Sequence, residues 1–229
     1  MPDDSVHQRS SSQQASRPPV VLASGSPRRR EILTQLGIPF DVFPPDIDES
    51  PHPGERPETL AKRLAEEKAQ AVAQRLGSAE QRPILAADTI VVLDGDILGK
   101  PRDAQHARAM LARMTGRSHR VVTGVAVIDP SSLRCWSEAV SSEVEMRAAD
   151  PQVIADYVAT GEPLDKAGSY GVQGEGGRLF VSKVRGSISN VMGLPRDETL
   201  ALLERAASET RFSSIAQSTG QSNPRGLGQ

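Results

Sequence analysis

One carboxylate stands inside an apolar run that extends from Ile84 to Leu93. The run is rich in Ile, Val and Leu and ends at the turn signal Asp94-Gly95-Asp96, which predicts a buried strand. Asp88 is therefore expected inside the protein, where an unpaired charge is costly. It is either a structural group bonded to backbone amides, or a general base or metal ligand that faces a cleft.

A second candidate site follows the first predicted strand. The sequence Ser24-Gly25-Ser26-Pro27 breaks that strand and begins a helix, with Ser26 as the expected cap. Backbone N–H groups, the helix dipole and guanidinium groups then meet in one place. Arginine is disfavoured at the positive end of a helix, so Arg28 and Arg29 predict a bound anion that offsets the cost. An exposed basic patch is the alternative.

Acidic and basic groups on the next segments could face the same ligand. The loop after the second predicted strand carries Asp46, Asp48 and Glu49, and hard divalent cations prefer carboxylate oxygens. Acidic loops are often just solvated, so this signal is weak alone. The long helix predicted over residues 57–77 places Lys68 on the stripe that faces the core. The lysine either extends to the surface or reaches into a cleft.

A glycine-rich stretch runs from Gly161 to Pro195. Glycine lets the backbone take positive φ angles and approach a ligand closely, which is typical of a site built from loops. Apolar residues such as Val172 and Phe180 are interleaved with the polar ones and must pack somewhere. We therefore expect a loop-built site here, and not a surface linker.

These groups need a scaffold of strands and helices. Besides the Asp88 stretch, strands are expected at Val20–Ala23, Phe40–Phe43, Arg120–Ile128 and Arg134–Met146, the last two as an antiparallel scaffold pair. Further helices are expected after Asp103 and Asp150, which are both placed to cap them, and from Pro195 onward.

Composition restricts the class of protein. A chain of 229 residues is long enough for one good core, and we expect one domain. The net charge of −2 gives no general attraction to nucleic acid or an acidic membrane, and 3% aromatic residues leave few stacking platforms for bases. The single cysteine, Cys135, excludes an intramolecular disulfide and a cysteine-based zinc site, which fits a reducing, cytoplasmic setting.

Both ends of the chain are polar. Residues 1–17 lack the apolar core of a signal peptide, and no stretch has the length of a membrane span. From Ser208 onward the sequence again has little apolar surface to bury. We expect a disordered N-terminal extension over residues 1–17, one folded domain over residues 18–207, and a disordered tail over residues 208–229.

Five blocks in fixed order resemble the Maf family of nucleoside triphosphate pyrophosphatases. They are Ser24-Gly25-Ser26-Pro27-Arg28-Arg29, Ala87-Asp88-Thr89, Lys100-Pro101, the stretch Asp165 to Gly174, and Gly193-Leu194-Pro195. The resemblance covers residues 18 to 207 and is closest to the branch acting on dTTP and UTP. It implies a single α/β domain of the Maf/ITPase type. Its elongated, twisted mixed sheet would have helices packed around it and a deep cleft between two lobes.

The resemblance also implies roles for individual residues. Asp88 would be the catalytic proton acceptor, and Glu49 would help it to hold a divalent metal cation, Mg²⁺ or Mn²⁺. The cleft would be lined by substrate-binding residues: Ser24, Ser26, Arg28, Arg29, Lys68, Thr89, Lys100, Lys166 and Gln173. Three of these would set base preference: Arg28, Thr89 and Gln173.

Base preference follows from two of these side chains. By the resemblance, the branch acting on 7-methylguanosine triphosphate carries tryptophan at the position of Arg28 and other side chains at the positions of Thr89 and Gln173. Tryptophan suits a cationic base that an arginine would repel. Gln173 offers both a donor and an acceptor, which match the O2, N3–H and O4 edge of uracil or thymine.

The implied activity is hydrolysis of dTTP and UTP, or of modified pyrimidine nucleotides, to the nucleoside monophosphate and pyrophosphate. It would sanitise nucleotide pools and affect cell division. The alternative is a non-catalytic, nucleotide-binding regulator of septum formation that uses the same cleft. The expected partner is a small-molecule nucleotide, with no nucleic acid and no membrane, and a homodimer stays open.

Overall fold

The computed structural model describes residues 17–219, and it describes side chains as far as residue 210. The N-terminal extension predicted over residues 1–17 therefore lies outside the described residues except for Arg17. The guanidinium of Arg17 donates to the carbonyl of Leu36 at 2.9 Å, which attaches the start of the described chain to the domain.

Seven strands form one mixed sheet, which confirms the predicted α/β class. They are β1 (Val20–Leu22), β2 (Phe40–Val42), β3 (Ile84–Leu93), β4 (Asp96–Leu98), β5 (Ser118–Ile128), β6 (Cys135–Met146) and β7 (Val181–Arg185). Their order across the sheet is β2-β1-β3-β5-β6-β7, and β4 pairs with β3 off this path. Strand β1 is parallel to β2 and β3, whereas the other described pairs are antiparallel.

Seven α-helices surround the sheet within residues 17–219. They are α1 (Pro27–Gln35), α2 (Pro57–Leu76), α3 (Ala104–Met114), α4 (Pro151–Ala159), α5 (Glu175–Phe180), α6 (Ile188–Val191) and α7 (Arg196–Thr219). The glycine-rich stretch was predicted as loop, yet it contains α5, β7 and α6. Two glycines oppose α5 by propensity, so packing of the fully buried Phe180 must supply what propensity lacks.

Helix caps follow the prediction in one case of three. The carboxylate of Asp103 accepts from the N–H of His106 at 2.7 Å, as predicted. Ser26 and Asp150 stand at N-cap positions, but neither side chain makes a capping hydrogen bond. In both helices a proline occupies the first turn, as predicted, and one N–H group fewer is left to be capped.

The side chains of β3 alternate between two covered faces of the sheet. On one face they pack against α2; these residues are Ile84, Ala86, Ile90 and Val92. On the other face, Leu85 and Ala87 pack with α1 and α7. Further along the same face, Val91 and Leu93 pack with α3 and α4. Asp88 therefore belongs to the α2 face, and Thr89 lies between two core clusters on the opposite face.

Helix α2 lies unusually close to the sheet where Gly124 pairs with Asp88. A Cβ atom added to Gly124 would lie 2.0 Å from the carbonyl oxygen of Ala61, in the second turn of α2. Only glycine leaves room for this approach. The same helix carries Lys68, so Gly124 helps to set how near that lysine comes to β3.

The last helix continues past Ala207, where composition placed the end of the folded domain. Glu209 forms an ion pair with Arg134, and the hydroxyl of Thr210 donates to Asp129 at 3.3 Å. Both contacts join α7 to the turn between β5 and β6. In the part of the chain that the structure describes, no helix is long and apolar enough to cross a membrane.

Candidate functional site

The edge of β3 is uncovered along its middle. Strand β1 pairs with β3 only at Ile84 and Leu85, and β4 pairs only with residues 91–93. Among the described strands none pairs with residues 86–90 on this edge. The gap lies beside Asp88 and Thr89, which project to opposite faces of the sheet. Groups from both faces can therefore reach one opening.

On the α2 face, a buried lysine joins two carboxylates. The Nζ atom of Lys68 lies 2.5 Å from Oδ1 of Asp88 and 2.6 Å from Oε1 of Glu49. Lys68 is 6% exposed and Asp88 is 8% exposed, so the two charges stabilise each other away from bulk water. The sequence placed Lys68 on the buried stripe of α2, and the structure directs its ammonium to Asp88.

Glu49 and Asp88 form the pair that could hold a metal ion. Among the described residues no group of three or more His, Cys, Asp or Glu side chains is arranged to bind one. Mg²⁺ is commonly held by one or two carboxylates, with substrate phosphates and waters as the remaining ligands. This donor pair therefore fits a hard divalent cation that binds together with a triphosphate.

Only one of the three neighbouring loop acids takes part. Glu49 reaches Lys68, whereas Asp48 accepts from the N–H of Ser50 at 2.9 Å within its own loop. Hydrogen bonds from Ser50 hold the pKa of Asp48 below its ordinary value. Asp48 thus stabilises the loop that presents Glu49.

On the opposite face, Arg29 is held by three hydrogen bonds. Its guanidinium donates to the carbonyl of Gly193 at 2.8 Å, to the hydroxyl of Ser24 at 3.0 Å and to the hydroxyl of Thr89 at 3.2 Å. Burial lowers the pKa of Arg29, and the charges of Asp88 and Glu49 act in the opposite direction. The negative charges of the two carboxylates therefore stabilise the charged form of Arg29 across the gap in β3.

The direction of the hydrogen bonds at Thr89 can be assigned. The hydroxyl of Thr123 donates its only proton to the carbonyl of Asn190 at 2.9 Å. The hydroxyls of Thr89 and Thr123 lie 3.0 Å apart, so Thr89 must be the donor in that contact. Thr89 then has no proton left and can only accept. The sequence predicted β5 only as scaffold. Thr123 is the one polar side chain in the apolar run from Val121 to Ile128, and this signal could have identified it.

The backbone at Gly193 completes this face. Its φ angle is +105°, and a Cβ atom there would lie 3.1 Å from the hydroxyl oxygen of Thr89. A side chain would therefore be strained and would crowd the contact between Thr89 and Arg29.

The serines of the first block are nearby but have different surroundings. Ser24 is buried, and its hydroxyl oxygen accepts from the N–H of Ser26 at 3.2 Å as well as from Arg29. Ser26 is only half-buried at the start of α1. The predicted anion site thus has one serine that positions Arg29 and one that is more accessible.

A second group of predicted residues lies around the glycine-rich stretch. The ammonium of Lys166 donates to the carbonyl of Glu162 at 2.5 Å and to the carboxylate of Asp165 at 2.7 Å. Burial raises the pKa of Asp165, but the hydrogen bond from Lys166 and the charges of Lys166 and Arg28 outweigh it and lower the pKa overall. Arg28 therefore lies close enough to act on this group.

Lys100 and Gln173 are exposed, and neither side chain makes a hydrogen bond with the described residues. The N–H of Gly168 donates to the carbonyl of Gly99 at 3.2 Å, which ties the Lys100 loop to the turn after Lys166. The structure thus brings these predicted residues to neighbouring loops without direct contact with Asp88.

Two cavities lie elsewhere on the protein. One of about 260 Å³ lies against α7, and one of about 590 Å³ lies over the ends of β5 and β6. Asp88, Lys68 and Arg29 line neither of them.

Comparison with known proteins identifies the family. The family model described as Maf-like protein matches residues 19–206. The chain belongs to this family. A dTTP/UTP pyrophosphatase of Anaeromyxobacter dehalogenans (strain 2CP-C) is 53% identical over 191 residues, which are 82% of this chain and 94% of that protein.

A second relative and a solved structure were also found. A dTTP/UTP pyrophosphatase of Escherichia coli O6:K15:H31 (strain 536 / UPEC) is 50% identical over 184 residues, with 80% of this chain and 90% of that protein covered. Among solved structures, a nucleoside-triphosphatase / dITP/XTP pyrophosphatase from Mycobacterium abscessus has a TM-score of 0.41 and 14% identity, with 90% of this chain and 100% of that chain covered.

The sequence blocks of this Maf-like protein meet in two places. Arg29, Thr89 and Gly193 come from three blocks and form one contact group. The Lys100 loop and the Lys166 turn come from two blocks and are joined through Gly99 and Gly168. Sequence reasoning named the blocks, and the fold gives their pairwise arrangement.

Proposed function

We propose that this Maf-like protein is a nucleoside triphosphate pyrophosphatase that hydrolyses dTTP and UTP to the nucleoside monophosphate and pyrophosphate. The observation that carries the proposal is the gap in β3, where the Asp88–Lys68–Glu49 cluster and the half-buried Arg29 share one opening. The names of the relatives in Anaeromyxobacter and Escherichia support the same substrates.

Cationic side chains bind the triphosphate in this proposal. Hydrolysis of a phosphoric anhydride develops negative charge on the phosphoryl oxygens and the leaving group, which fixed cations stabilise. The proposed cations come from both faces of the sheet and from the loops that carry Lys100 and Lys166. They are Arg28, Arg29, Lys68, Lys100 and Lys166. Ser24 and Ser26 add hydroxyl and N–H contacts.

Asp88 is the proposed proton acceptor. Its Oδ1 atom is occupied by Lys68, while its Oδ2 atom has no hydrogen bond from the described residues. Oδ2 would take a proton from the attacking water as the water oxygen bonds to the α-phosphorus. The bond from the α-phosphorus to the bridging oxygen breaks, and that oxygen leaves with pyrophosphate.

Glu49 and Asp88 would hold the divalent cation, Mg²⁺ or Mn²⁺. When bound, such a cation supplies charge neutralisation to the phosphoryl oxygens. Lys68 contacts both carboxylates, so its ammonium would have to share them or move toward the phosphates. Lys68 thereby keeps the two carboxylates together before substrate binds.

Base preference is proposed to depend on Arg28, Thr89 and Gln173. Thr89 can only accept a hydrogen bond, which suits the N3–H of uracil or thymine. The N3 atom of cytosine is itself an acceptor and would face the acceptor oxygen of Thr89, a mismatch that costs about 1–3 kcal/mol. Arg28 opposes a cationic methylated guanine.

The test is a panel of nucleoside triphosphates incubated with the purified protein and Mg²⁺, Mn²⁺ or a chelator. Pyrophosphate is detected by phosphate release that requires added inorganic pyrophosphatase. We expect pyrophosphate from dTTP and UTP, less from CTP, and none after chelation. The Asp88→Asn protein, purified identically, controls for contaminating enzymes.

Two outcomes contradict the proposal in different ways. Single phosphate in place of pyrophosphate would mean that a different bond is cleaved. Binding of UTP without any turnover would favour the non-catalytic regulator of septum formation. A small nucleotide is the partner that the proposal requires. The homodimer, the cytoplasmic location and the absence of nucleic-acid binding stay predictions.

A further inference from the structure

We infer that Glu162 is a positioning residue that fixes Lys166 and the Gln173 loop relative to each other. The inference rests on the proposed function, in which Lys166 contacts phosphates and Gln173 contacts the base. Glu162 begins the short 3₁₀ turn Glu162–Asp165 that follows α4, directly after Gly161 with its φ of +79°. Nothing in the five blocks marks this residue.

The carboxylate of Glu162 is bound on both oxygens. Its Oε1 atom accepts from the hydroxyl of Tyr157 at 3.2 Å, and its Oε2 atom accepts from the N–H of Glu175 at 3.2 Å. Tyr157 is 2% exposed and belongs to the core. One oxygen is therefore attached to the rigid interior and the other to the end of the Gln173 loop.

The loop backbone passes directly over this carboxylate. A Cβ atom added to Gly174 would lie 2.2 Å from Oε1 of Glu162, so a side chain at that position would displace the carboxylate. Gln173 is the preceding residue, so its position depends on where Glu162 holds Gly174. The hydrogen bond from the N–H of Gly174 to the carbonyl of Gly171, at 3.2 Å, closes the loop on itself.

The backbone of the same residue holds Lys166. The carbonyl oxygen of Glu162 accepts from Nζ of Lys166 at 2.5 Å. A Cβ atom added to Gly171 would lie 3.1 Å from Cε of Lys166, so the lysine stem lies against the Gln173 loop. Glu162 thus contacts both the proposed phosphate ligand and the loop of the proposed base ligand.

Asp165 does not provide the same restraint. It also pairs with Lys166, but its side chain is 71% exposed, and exposed ion pairs contribute little. Tyr157 is a dependable donor, because burial and then the charge of Glu162 raise its pKa above the ordinary value. The neutral hydroxyl therefore keeps its proton at the pH of an ordinary assay.

A purely structural role would have a different signature. Loss of a structural contact lowers the melting temperature and leaves the ratio of kcat/KM for UTP to that for CTP unchanged. Loss of a positioning contact changes that ratio and raises KM for UTP, because Gln173 and Lys166 no longer approach the base and phosphates together.

The experiment compares three variants, Glu162→Ala, Glu162→Gln and Tyr157→Phe. The control is Asp156→Ala, which removes an exposed carboxylate next to Tyr157 on α4. Melting temperature and kcat and KM for UTP and CTP are measured for each. We expect Glu162→Ala to raise KM for UTP about tenfold or more and to reduce the UTP/CTP ratio. Glu162→Gln should recover most of the loss, because the amide still accepts from Glu175. Asp156→Ala should match the unmodified protein.

Tyr157→Phe keeps the experiment decisive if Glu162→Ala does not fold. It removes one hydroxyl and should reduce the UTP/CTP ratio in a folded protein. An unchanged ratio in folded Tyr157→Phe, or in folded Glu162→Ala, overturns the inference. No pyrophosphate from UTP with the unmodified protein would instead overturn the proposed function, so the two failures are distinguishable.

Discussion

The ammonium of Lys68 lies 2.5 Å from the carboxylate of Asp88, and both residues are almost fully buried. The pair joins the middle of α2 to the middle of β3 at the point where β3 has an uncovered edge. A charge inside a strand and a charge inside a helix stripe are each unfavourable alone, and together they offset each other.

Replacing Asp88 by Asn tests its role as base. The amide has the same shape but cannot take a proton, so we expect a folded protein with turnover lowered about 10²-fold or more. Pyrophosphate release and thermal melting are measured on the same preparation. Asp96→Asn, an exposed carboxylate paired with Arg113, serves as control. A folded Asp88→Asn protein with full activity would eliminate the proposed mechanism.

Replacing Arg29 by Lys tests the contact group on the other face. A lysine cannot reach Gly193, Ser24 and Thr89 together, because its single nitrogen lacks the planar fork of guanidinium. We expect kcat/KM to fall by about tenfold or more, to a similar degree for dTTP, UTP and CTP, since Arg29 is proposed to bind phosphates. A loss confined to one base would show that Arg29 reads the base instead.

Replacing Gln173 by Ala tests base recognition. We expect the difference between UTP and CTP to narrow, because the side chain would no longer bond the edge that distinguishes the two bases. The matched control is Gln152→Ala, an exposed glutamine on α4. Steady-state rates with both substrates decide the matter, and an unchanged UTP/CTP ratio removes Gln173 from the specificity set.

Replacing Thr123 by Val tests the assigned hydrogen-bond direction. The change removes one of two donors to the Asn190 carbonyl, which still accepts from the N–H of Gly193, and it leaves the proton of Thr89 without its acceptor. We therefore expect a loss of about 1–3 kcal/mol in the free energy of unfolding. Thr123→Ser keeps the hydroxyl and should retain most of the stability. Denaturant unfolding measures both variants. Equal stability of Thr123→Val and the unmodified protein would contradict the assignment.

A site residue can be predicted from the sequence when it breaks the hydrophobic pattern of its own strand or helix. Asp88 and Lys68 violate the apolar periodicity of their own elements, so both could be found without a structure. Thr123 gives the same kind of signal but lies in a strand expected to be scaffold. Glu162 gives none, because its partner Glu175 follows it in the chain only after two 3₁₀ turns, and Tyr157 reads as an ordinary core residue of α4. Glycine-rich composition likewise concealed α5, whose formation depends on tertiary packing.

Buried His119 predicts a pH dependence of stability. Burial lowers its pKa to about 4, from 6.5 for an exposed histidine. Well above pH 6.5, His119 is uncharged in both the folded and the unfolded protein. As the pH falls from 6.5 towards 4, the unfolded chain takes up a proton that the folded protein does not, so stability is lost in that window.

The variant His119→Gln isolates this effect from the titration of carboxylates. Its amide can still bond the hydroxyl of Tyr170, which contacts the histidine at 2.7 Å. Each unit of difference between two pKa values corresponds to about 1.4 kcal/mol, so the unmodified protein should lose a few kcal/mol more than the variant between pH 7 and pH 4.5. Parallel stability curves for the two proteins would show that His119 is not responsible.

Side chains alternate along β3, so the pairing register of this strand decides which face Asp88 and Thr89 each occupy. A strand displaced by one residue relative to β5 would turn each side chain to the other face, so Asp88 would leave the face of Lys68 and Thr89 would leave the face of Arg29. Nine paired positions, from Ile84↔Ile128 to Val92↔Arg120, oppose such a slip. A single-residue insertion early in β3 should therefore abolish hydrolysis more thoroughly than any one substitution, since it disconnects both faces at once.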